Sequence, residues 1–328
     1  MLIDNKNLTD PRINLALEEY CLRHLDLEND YLLLYVNAPS VIIGRHQNAL
    51  EEINHRFVME KKIRVVRRIS GGGAVYHDYG NLNYCFIKQY ENNTLVKIKE
   101  IIGPVVAALN RLGVPAVVNG RNDIMVHGKK ISGNAQFSNT KGIIIHGTLL
   151  FDSELCTAEQ ALGAKKNNID SKALKSTRSP VVNITEYLET PIEMAGFRDH
   201  LLSTLDKICG GLTEFELTGK DWDAVYELFE TKYNSWNWNY GRSPDFTVLK
   251  TGRFSIGKVD TRIDVKKGYI NEITFTGDHG IRVKSGGLIC RLKGQRYDGD
   301  AIRIALAGFD LDKYLGEITL ERFVEYIY

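Results

Sequence analysis

The chain has 328 residues, 43% of them hydrophobic, which is long for one core and normal for a folded protein, so two domains are expected. Its 42 basic and 41 acidic side chains nearly cancel, leaving a net charge of +1 and no general attraction to nucleic acid or anionic membrane. Five scattered cysteines, Cys21, Cys85, Cys156, Cys209 and Cys290, form no CxxC pair, so free thiols in a reducing compartment, the cytoplasm, are expected.

The start MLIDNKNLTDPR has acids where a signal peptide would have its apolar core, and no run reaches the roughly 18 apolar residues of a membrane span. After Pro11, the residues Ile13, Leu15, Leu17, Tyr20 and Cys21 recur at helical spacing with Glu18 and Glu19 set against them, which predicts an amphipathic helix ending before Asn29. Tyr31 to Val36 and Val41 to Ile43 read as paired strands, followed by a polar loop from Gly44 to Asn48. Glu51 to Lys62 reads as a helix. Arg64 to Arg68, Ala74 to His77 and Asn83 to Ile87 read as strands, so the glycine run 71–73 falls between strands.

Farther on, Ile101 to Leu112 is expected to be a helix and Ala116 to Val118 a strand. Asp123 to Val126 and Lys130 to Ser132 form an expected hairpin turning at His127-Gly128, and Gly142 to Asp152 is a long expected strand with Ile144, His146, Thr148 and Leu150 on one face. Residues 163 to 180 are polar and carry Lys165, Lys166, Lys172, Lys175 and Arg178, a pattern that fits either a solvated surface linker or a mobile basic loop that could close over a nucleotide. Helices are expected at 185–188, 197–208 and 221–233, and the Trp236, Trp238, Tyr240 cluster reads as packing where one domain hands over to the next. A small α+β unit follows, with strands near 254–256, 261–265 and 269–276 and helices near 288–293, 300–307 and 320–327. The expected division is 1–246 and 247–328.

The segment Arg67 to Asp78, RRISGGGAVYHD, concentrates the chemistry. Arg67 and Arg68 offer fork-shaped donors, Ser70 a hydroxyl, and the N–H groups of Gly71, Gly72 and Gly73 an anion-binding nest, so a phosphate or carboxylate is the expected guest. The strand-glycine-strand order excludes the Rossmann and P-loop templates, which need a helix directly after the glycines. A second segment, Arg121 to Gln136, brings Asn122 and Asp123 near Lys129 and Lys130 and a small-residue turn, Ser132-Gly133-Asn134. Strand alternation lets only one of the two lysines point inward.

These two segments, with IGRHQN (Ile43 to Asn48) and HGTLLF (His146 to Phe151), resemble the lipoate-protein ligases in order and spacing. The helix LTDPRINLALEEY, the loop end KSTRSPVVN, SWNWNYG and the carboxy-terminal unit extend the resemblance over essentially the whole chain. One small departure is Ile69, where relatives often place a small or polar residue.

The resemblance implies an α+β catalytic domain, a mixed or antiparallel sheet of the biotin-ligase and class II aminoacyl-tRNA synthetase type, followed by an accessory domain. It implies that lipoate and ATP, with Mg²⁺ near Asp123, give lipoyl-adenylate and pyrophosphate. The lipoyl group then passes to a lysine of an apo carrier domain, in a 2-oxoacid dehydrogenase E2 subunit or the glycine-cleavage H protein. By motif match Lys130 is the catalytic lysine, and Arg68, Ser70, Gly71, Gly72, Gly73, Ala74, Val75, Tyr76, His77, Asn122, Asp123 and His146 surround the ATP or adenylate. Residues 163 to 183 would close over it, and Val75, Ile144 and Leu150 would line an acyl tunnel. A monomer is expected. The rival readings are an ATP-independent acyltransferase of the same fold with Cys85 or Cys156 as nucleophile, a biotin ligase, and a non-catalytic lipoate sensor.

Overall fold

The computed structural model describes residues 1–89, 98–163, 169–177, 179–277 and 285–328. Two compact units share the chain: one comprises Met1–Arg45, Ile53–Gly163 and Ser176–Ser235, the other His46–Glu52, Ala164–Lys175 and Trp236–Tyr328.

The first unit is built on a six-stranded mixed sheet in the order Asn134–Ser138, Gly142–Leu150, Asn81–Gln89, Tyr31–Val36, Leu2–Ile3, Glu214–Phe215. The first four strands pair antiparallel and the last two join in parallel. Because successive side chains alternate between faces, Ile143, Ile145 and Leu149 share a core with Leu32, Leu34, Tyr84 and Phe86, covered by helices Ile98–Arg111 and Met194–Cys209. The opposite face carries Leu33, Cys85 and His146 side by side in register. Helix Pro11–His24 reaches this face through Glu18, which meets His146. Its start is fixed by Asp10, whose carboxylate accepts the Arg12 N–H at 3.0 Å, and by Pro11 in the first turn.

A separate three-stranded sheet places Ser40–Ile43 between Arg64–Arg67, parallel, and Val75–His77, antiparallel. Tyr31–Val36 and Ser40–Ile43 are therefore not a pair, as expected from the sequence, but belong to different sheets. The glycine run does connect two strands, both bonded to the same central one. The expected helix Glu51 to Lys62 is two helices, Ala49–Glu52 and His55–Glu60, because the Asn54 side chain accepts the Phe57 N–H at 3.3 Å and starts the second afresh. A third small sheet contains the hairpin Ile124–Val126 and Lys129–Ser132, whose turn residues His127 and Gly128 both take positive φ, 45° and 77°. Such a two-residue turn matches the twist of paired strands.

The second unit is an antiparallel sheet, Ile169–Ser171, Phe246–Phe254, Gly257–Lys266, Tyr269–Thr276. Phe246, Val248, Val259, Ile263 and Phe275 pack there against Leu288, Ile302, Phe323 and Ile327. The strand expected at 254–256 ends at Phe254, with residues 255 and 256 forming the turn into the next strand. Helices Gly286–Leu292, Gly299–Ala305 and Leu320–Ile327 stand where expected, with Asp312–Leu315 in addition. Trp236 stacks on Tyr240 at 6.1 Å and lies under Arg296, in keeping with a packing role.

Candidate active site

The glycine loop is held from below by the two arginines. Arg68 is buried, and its guanidinium donates to the carbonyls of Ile42 (3.1 Å), Gly71 (2.6 Å) and Gly73 (2.8 Å) and to Ser70 Oγ (3.0 Å). Arg67 is fully buried and donates to the Gly44 carbonyl at 2.9 Å. The fork-shaped donors expected of the two arginines are engaged with main-chain oxygens of the loop and its neighbours, which gives the loop a fixed shape. Burial pulls the Arg68 pKa down to about 10, still charged at neutral pH.

Gly72 is the loop's exposed point and has φ of +86°; a Cβ there would stand 3.0 Å from Arg68 Nη2. The space beside Gly72 is closed by Ala135, the second residue of the edge strand. Ser176 closes the other end: its hydroxyl accepts the Ala74 N–H at 2.9 Å, and its backbone packs against Gly73. Val75 is half-buried, whereas Tyr76 is buried and its hydroxyl pKa is raised to about 12 by desolvation and then by Asp78 and Glu154.

Just ahead of the edge strand and two residues before Ala135, Gly133 leaves room for Lys130: a Cβ at 133 would lie 2.9 Å from Lys130 Nζ. Lys130 is three-quarters buried and its ammonium pairs with Asp123 Oδ1 at 2.8 Å. Lys129, next in the chain, is exposed, so alternation selects the inward lysine as expected. Main-chain bonds clamp Lys130 further, its N–H donating to Pro180 O at 2.8 Å and its carbonyl accepting from Val182 at 3.1 Å. Asp123 is presented by a loop in which Asn119 Oδ1 accepts the N–H groups of Arg121 and Asp123, at 2.8 and 3.0 Å. Asn122, at φ +64°, is fixed by Asn134 Nδ2 donating to its carbonyl at 2.8 Å.

Beneath the loop runs a buried polar chain in which Ser70 and His146 are expected site residues and Glu18 and Tyr35 are not. Arg68 donates to Ser70 Oγ, which lies 2.6 Å from His146 Nε2; His146 Nδ1 lies 2.7 Å from Glu18 Oε2, and Tyr35 donates to Glu18 Oε1 at 2.8 Å. Glu18 and Glu19 are each 1% exposed, contrary to a polar helix face. Glu19 is instead held by Arg23 (2.7 Å), Lys232 (2.6 Å) and the Tyr233 hydroxyl (2.7 Å), which together with its other charges outweigh burial and lower its pKa.

His77 is buried as well, and desolvation, followed by the nearby charges of Arg68 and His146, lowers its pKa to about 3. A histidine held neutral in the fold and able to protonate near 6.5 when unfolded contributes stability that is complete above 6.5 and lost as pH falls toward 3. Thermal denaturation from pH 7 to pH 4 should thus show a falling midpoint, and His77→Gln should flatten that fall; an identical slope in the variant would remove His77 as its cause.

Of the basic residues expected in the loop, Lys165, Lys166 and Arg178 lie outside the described residues; Lys172 is exposed, and Lys175 is 3.5 Å from Glu51. Among the described residues no cluster of three or more His, Cys, Asp or Glu groups stands ready for a metal. Asp123 has one oxygen taken by Lys130, and among the described residues the other meets Asn119 Nδ2 at 3.4 Å. That donor set suits a metal ion held mainly by a substrate's phosphates, as Mg²⁺ usually is. No described helix is long and apolar enough to cross a membrane.

Residues 10–206 match the family described as the lipoyl protein ligase A/B catalytic domain, and residues 243–327 the bacterial lipoate protein ligase C-terminus. The lipoate-protein ligase LplJ of Bacillus subtilis is 46% identical over all of both chains, and lipoate-protein ligase 1 of Staphylococcus aureus 42% identical over 96% of each. A crystal structure of lipoate-protein ligase A bound with ATP shares 27% identity and a TM-score of 0.63 over 71% of this chain and 95% of that one. A Thermoplasma acidophilum protein with bound lipoic acid is likewise 27% identical, with a TM-score of 0.62 over the same 71% and 95%. With both family matches and full-length relatives in place, the chain belongs to the lipoate-protein ligase family.

Proposed function

We propose that this protein activates lipoate with ATP and transfers the lipoyl group to a lysine of apo carrier domains, E2 subunits and the H protein. The observation that carries the reading is the Lys130–Asp123 pair at 2.8 Å, set against Gly133 two residues from the strand residue that borders the glycine loop. Relatives named lipoate-protein ligases along the full chain support it. So do the ATP and lipoic acid bound in two solved relatives and the E2 lipoyl domain named with a third, from Thermoplasma acidophilum.

Bringing a carboxylate to an α-phosphate sets two anions together; unit charges at about 4 Å repel by about 4 kcal/mol at an effective dielectric near 20. Lys130, with Asp123 fixing its ammonium, offsets that charge as a carboxylate oxygen bonds to the α-phosphorus and the bond to pyrophosphate breaks. The loop shaped by Arg68, with Ser70, Gly71, Gly72, Gly73, Ala74, Val75 and Tyr76, receives the nucleotide, and Asn122 borders the same site. Mg²⁺, held by the triphosphate and the remaining Asp123 oxygen, would draw charge from the leaving pyrophosphate. The carrier amine then attacks the acyl carbonyl, loses a proton, and AMP departs. His146, its ring held by Ser70 and Glu18, lies beside the acyl part, and Val75, Ile144 and Leu150 line its apolar chain, where each buried methylene is worth about 0.8 kcal/mol. Residues 1–246 carry both half-reactions and 247–328 form the accessory domain. The protein works in the cytoplasm as a monomer.

The ATP-independent transferase reading, in the branches that use a cysteine nucleophile, calls for a reactive thiol at Cys85 or Cys156. Cys85 is buried, and desolvation together with Glu18 pushes its thiol well above the usual range, which suits an inert core thiol. Cys156 is free and exposed; Cys156→Ser should leave carrier lipoylation and its ATP requirement unchanged, and a loss of transfer would restore the acyl-enzyme alternative. The activity itself is tested by incubating the protein with lipoate and an apo lipoyl domain, with and without MgATP. One lipoyl mass increment on the carrier only with ATP is expected; modification without ATP, or none, would overturn the reading.

A further inference from the structure

A main-chain carbonyl and three asparagines determine where His77 carries its hydrogen. The carbonyl of Leu8 can only accept, so the side-chain atoms bonded to it, Asn5 Nδ2 at 2.8 Å and Asn14 Nδ2 at 2.9 Å, are amide nitrogens. Asn14 therefore presents its oxygen to Asn5, at 3.0 Å, and its second amide hydrogen to Asn37. The Asn37 atom 2.8 Å away must then be its oxygen, which turns its nitrogen toward His77 Nδ1 at 3.0 Å. A neutral imidazole that accepts at Nδ1 bears its hydrogen on Nε2.

All three asparagines are almost fully buried, so the relay is shielded from competing water. His77 is 5% exposed, and its Nε2 has no hydrogen-bond partner among the described residues. Buried donors without partners are rare in folded proteins and are commonly explained by function. His77 lies within electrostatic reach of Arg68 and His146, the residues that support the glycine loop from beneath.

We propose that His77 is a fixed, uncharged donor whose Nε2–H is completed by an acceptor atom of the bound acyl substrate, with Asn5, Asn14 and Asn37 as positioning residues that hold that tautomer. The inference rests on the lipoate-ligase function above. The acceptor is a carboxylate or acyl oxygen, or a dithiolane sulfur. Depression of the ring's basicity keeps the donor uncharged through the neutral range, so acyl binding should not gain a titration step from this residue.

The test combines a spectrum with kinetics. Long-range ¹H–¹⁵N correlation of the unliganded wild type at neutral pH should show the Nε2–H tautomer for His77. Asn37→Asp replaces the donor by an acceptor, so the spectrum should change to Nδ1–H or the doubly protonated ring. KM for lipoate in pyrophosphate exchange should then rise at least about tenfold, the cost of roughly one hydrogen bond. His77→Phe should raise KM similarly, whereas His77→Gln, which can place an amide nitrogen near Nε2, should restore most of it. A rise shared by octanoate assigns the contact to the carboxyl end, and a rise seen with lipoate alone assigns it to the ring sulfur. An Nδ1–H tautomer in the wild type, or a KM effect confined to ATP, or none in His77→Phe, overturns the proposal. Wild-type protein that forms no lipoyl-adenylate would overturn the function and the acyl partner together, while the tautomer still stands or falls on the spectrum.

Discussion

Lys130→Ala is expected to slow lipoate-dependent pyrophosphate exchange by roughly 10²-fold or more, the scale of removing one preorganised donor from a charged transition state. The ammonium is held in place before substrate arrives, by Asp123 at 2.8 Å, by the absence of a Cβ at Gly133, and by the main-chain bonds to Pro180 and Val182. Its orientation is therefore paid in advance by the fold. The loss should appear in kcat for adenylation more than in KM for lipoate, because the charge it neutralises develops as the new bond to phosphorus forms. Lys129→Ala, on the exposed face of the same strand, should leave the rate unchanged. Equal losses in the two variants would mean that the hairpin and not the Lys130 ammonium matters, and a near wild-type rate in Lys130→Ala would remove the assignment.

Gly72→Val should be the second large effect. Valine is β-branched, and the φ of +86° at this position is one that it adopts only with strain of about 1–3 kcal/mol. Its Cβ would also stand 3.0 Å from Arg68 Nη2, which already holds the Gly71 and Gly73 carbonyls. Relieving the φ strain and the contact shifts the Arg68 guanidinium or turns those carbonyls, and with them the N–H groups expected to face an anion. A displacement of this size is expected to cost about 10²-fold in kcat/KM for ATP. Far-UV circular dichroism should be unchanged, since Gly72 is exposed and lies outside the hydrophobic cores. Unchanged kinetic constants would reduce the glycine run to a turn; a lost fold would make it a structural element.

What the sequence made legible was set by short-range patterns. The glycine run between strands, the hairpin turning at His127-Gly128 and the inward Lys130 follow from turn chemistry and period-two alternation, and all three stand. Glu18 and Glu19 were opaque because periodicity sorts residues by polarity, whereas these two carboxylates are buried with partners far off in sequence: His146, Tyr35, Lys232 and Tyr233. The same limit applies to Arg67 and Arg68. Two adjacent arginines beside glycines read as anion donors, and only the folded loop shows their hydrogens bound to carbonyls at 42, 44, 71 and 73. Tyr31–Val36 and Ser40–Ile43 looked like one hairpin because their separation is short, but strand partners are chosen by the sheet, and each finds different neighbours. Asn5, Asn14 and Asn37 gave no signal at all, being isolated amides whose meaning lies in their three-dimensional sequence of donors and acceptors.

The central claim is that one ammonium, Lys130 Nζ, bridges the acyl and phosphoryl oxygens of the reacting pair. A crystal structure of the protein with a non-hydrolysable lipoyl-adenylate analogue tests it most directly. The account predicts Lys130 Nζ within hydrogen-bond distance of both the acyl oxygen and an α-phosphoryl oxygen, about 2.7–3.2 Å, with the analogue seated against the glycine loop. An analogue bound with Lys130 still paired only to Asp123, or bound elsewhere on the chain, would contradict it.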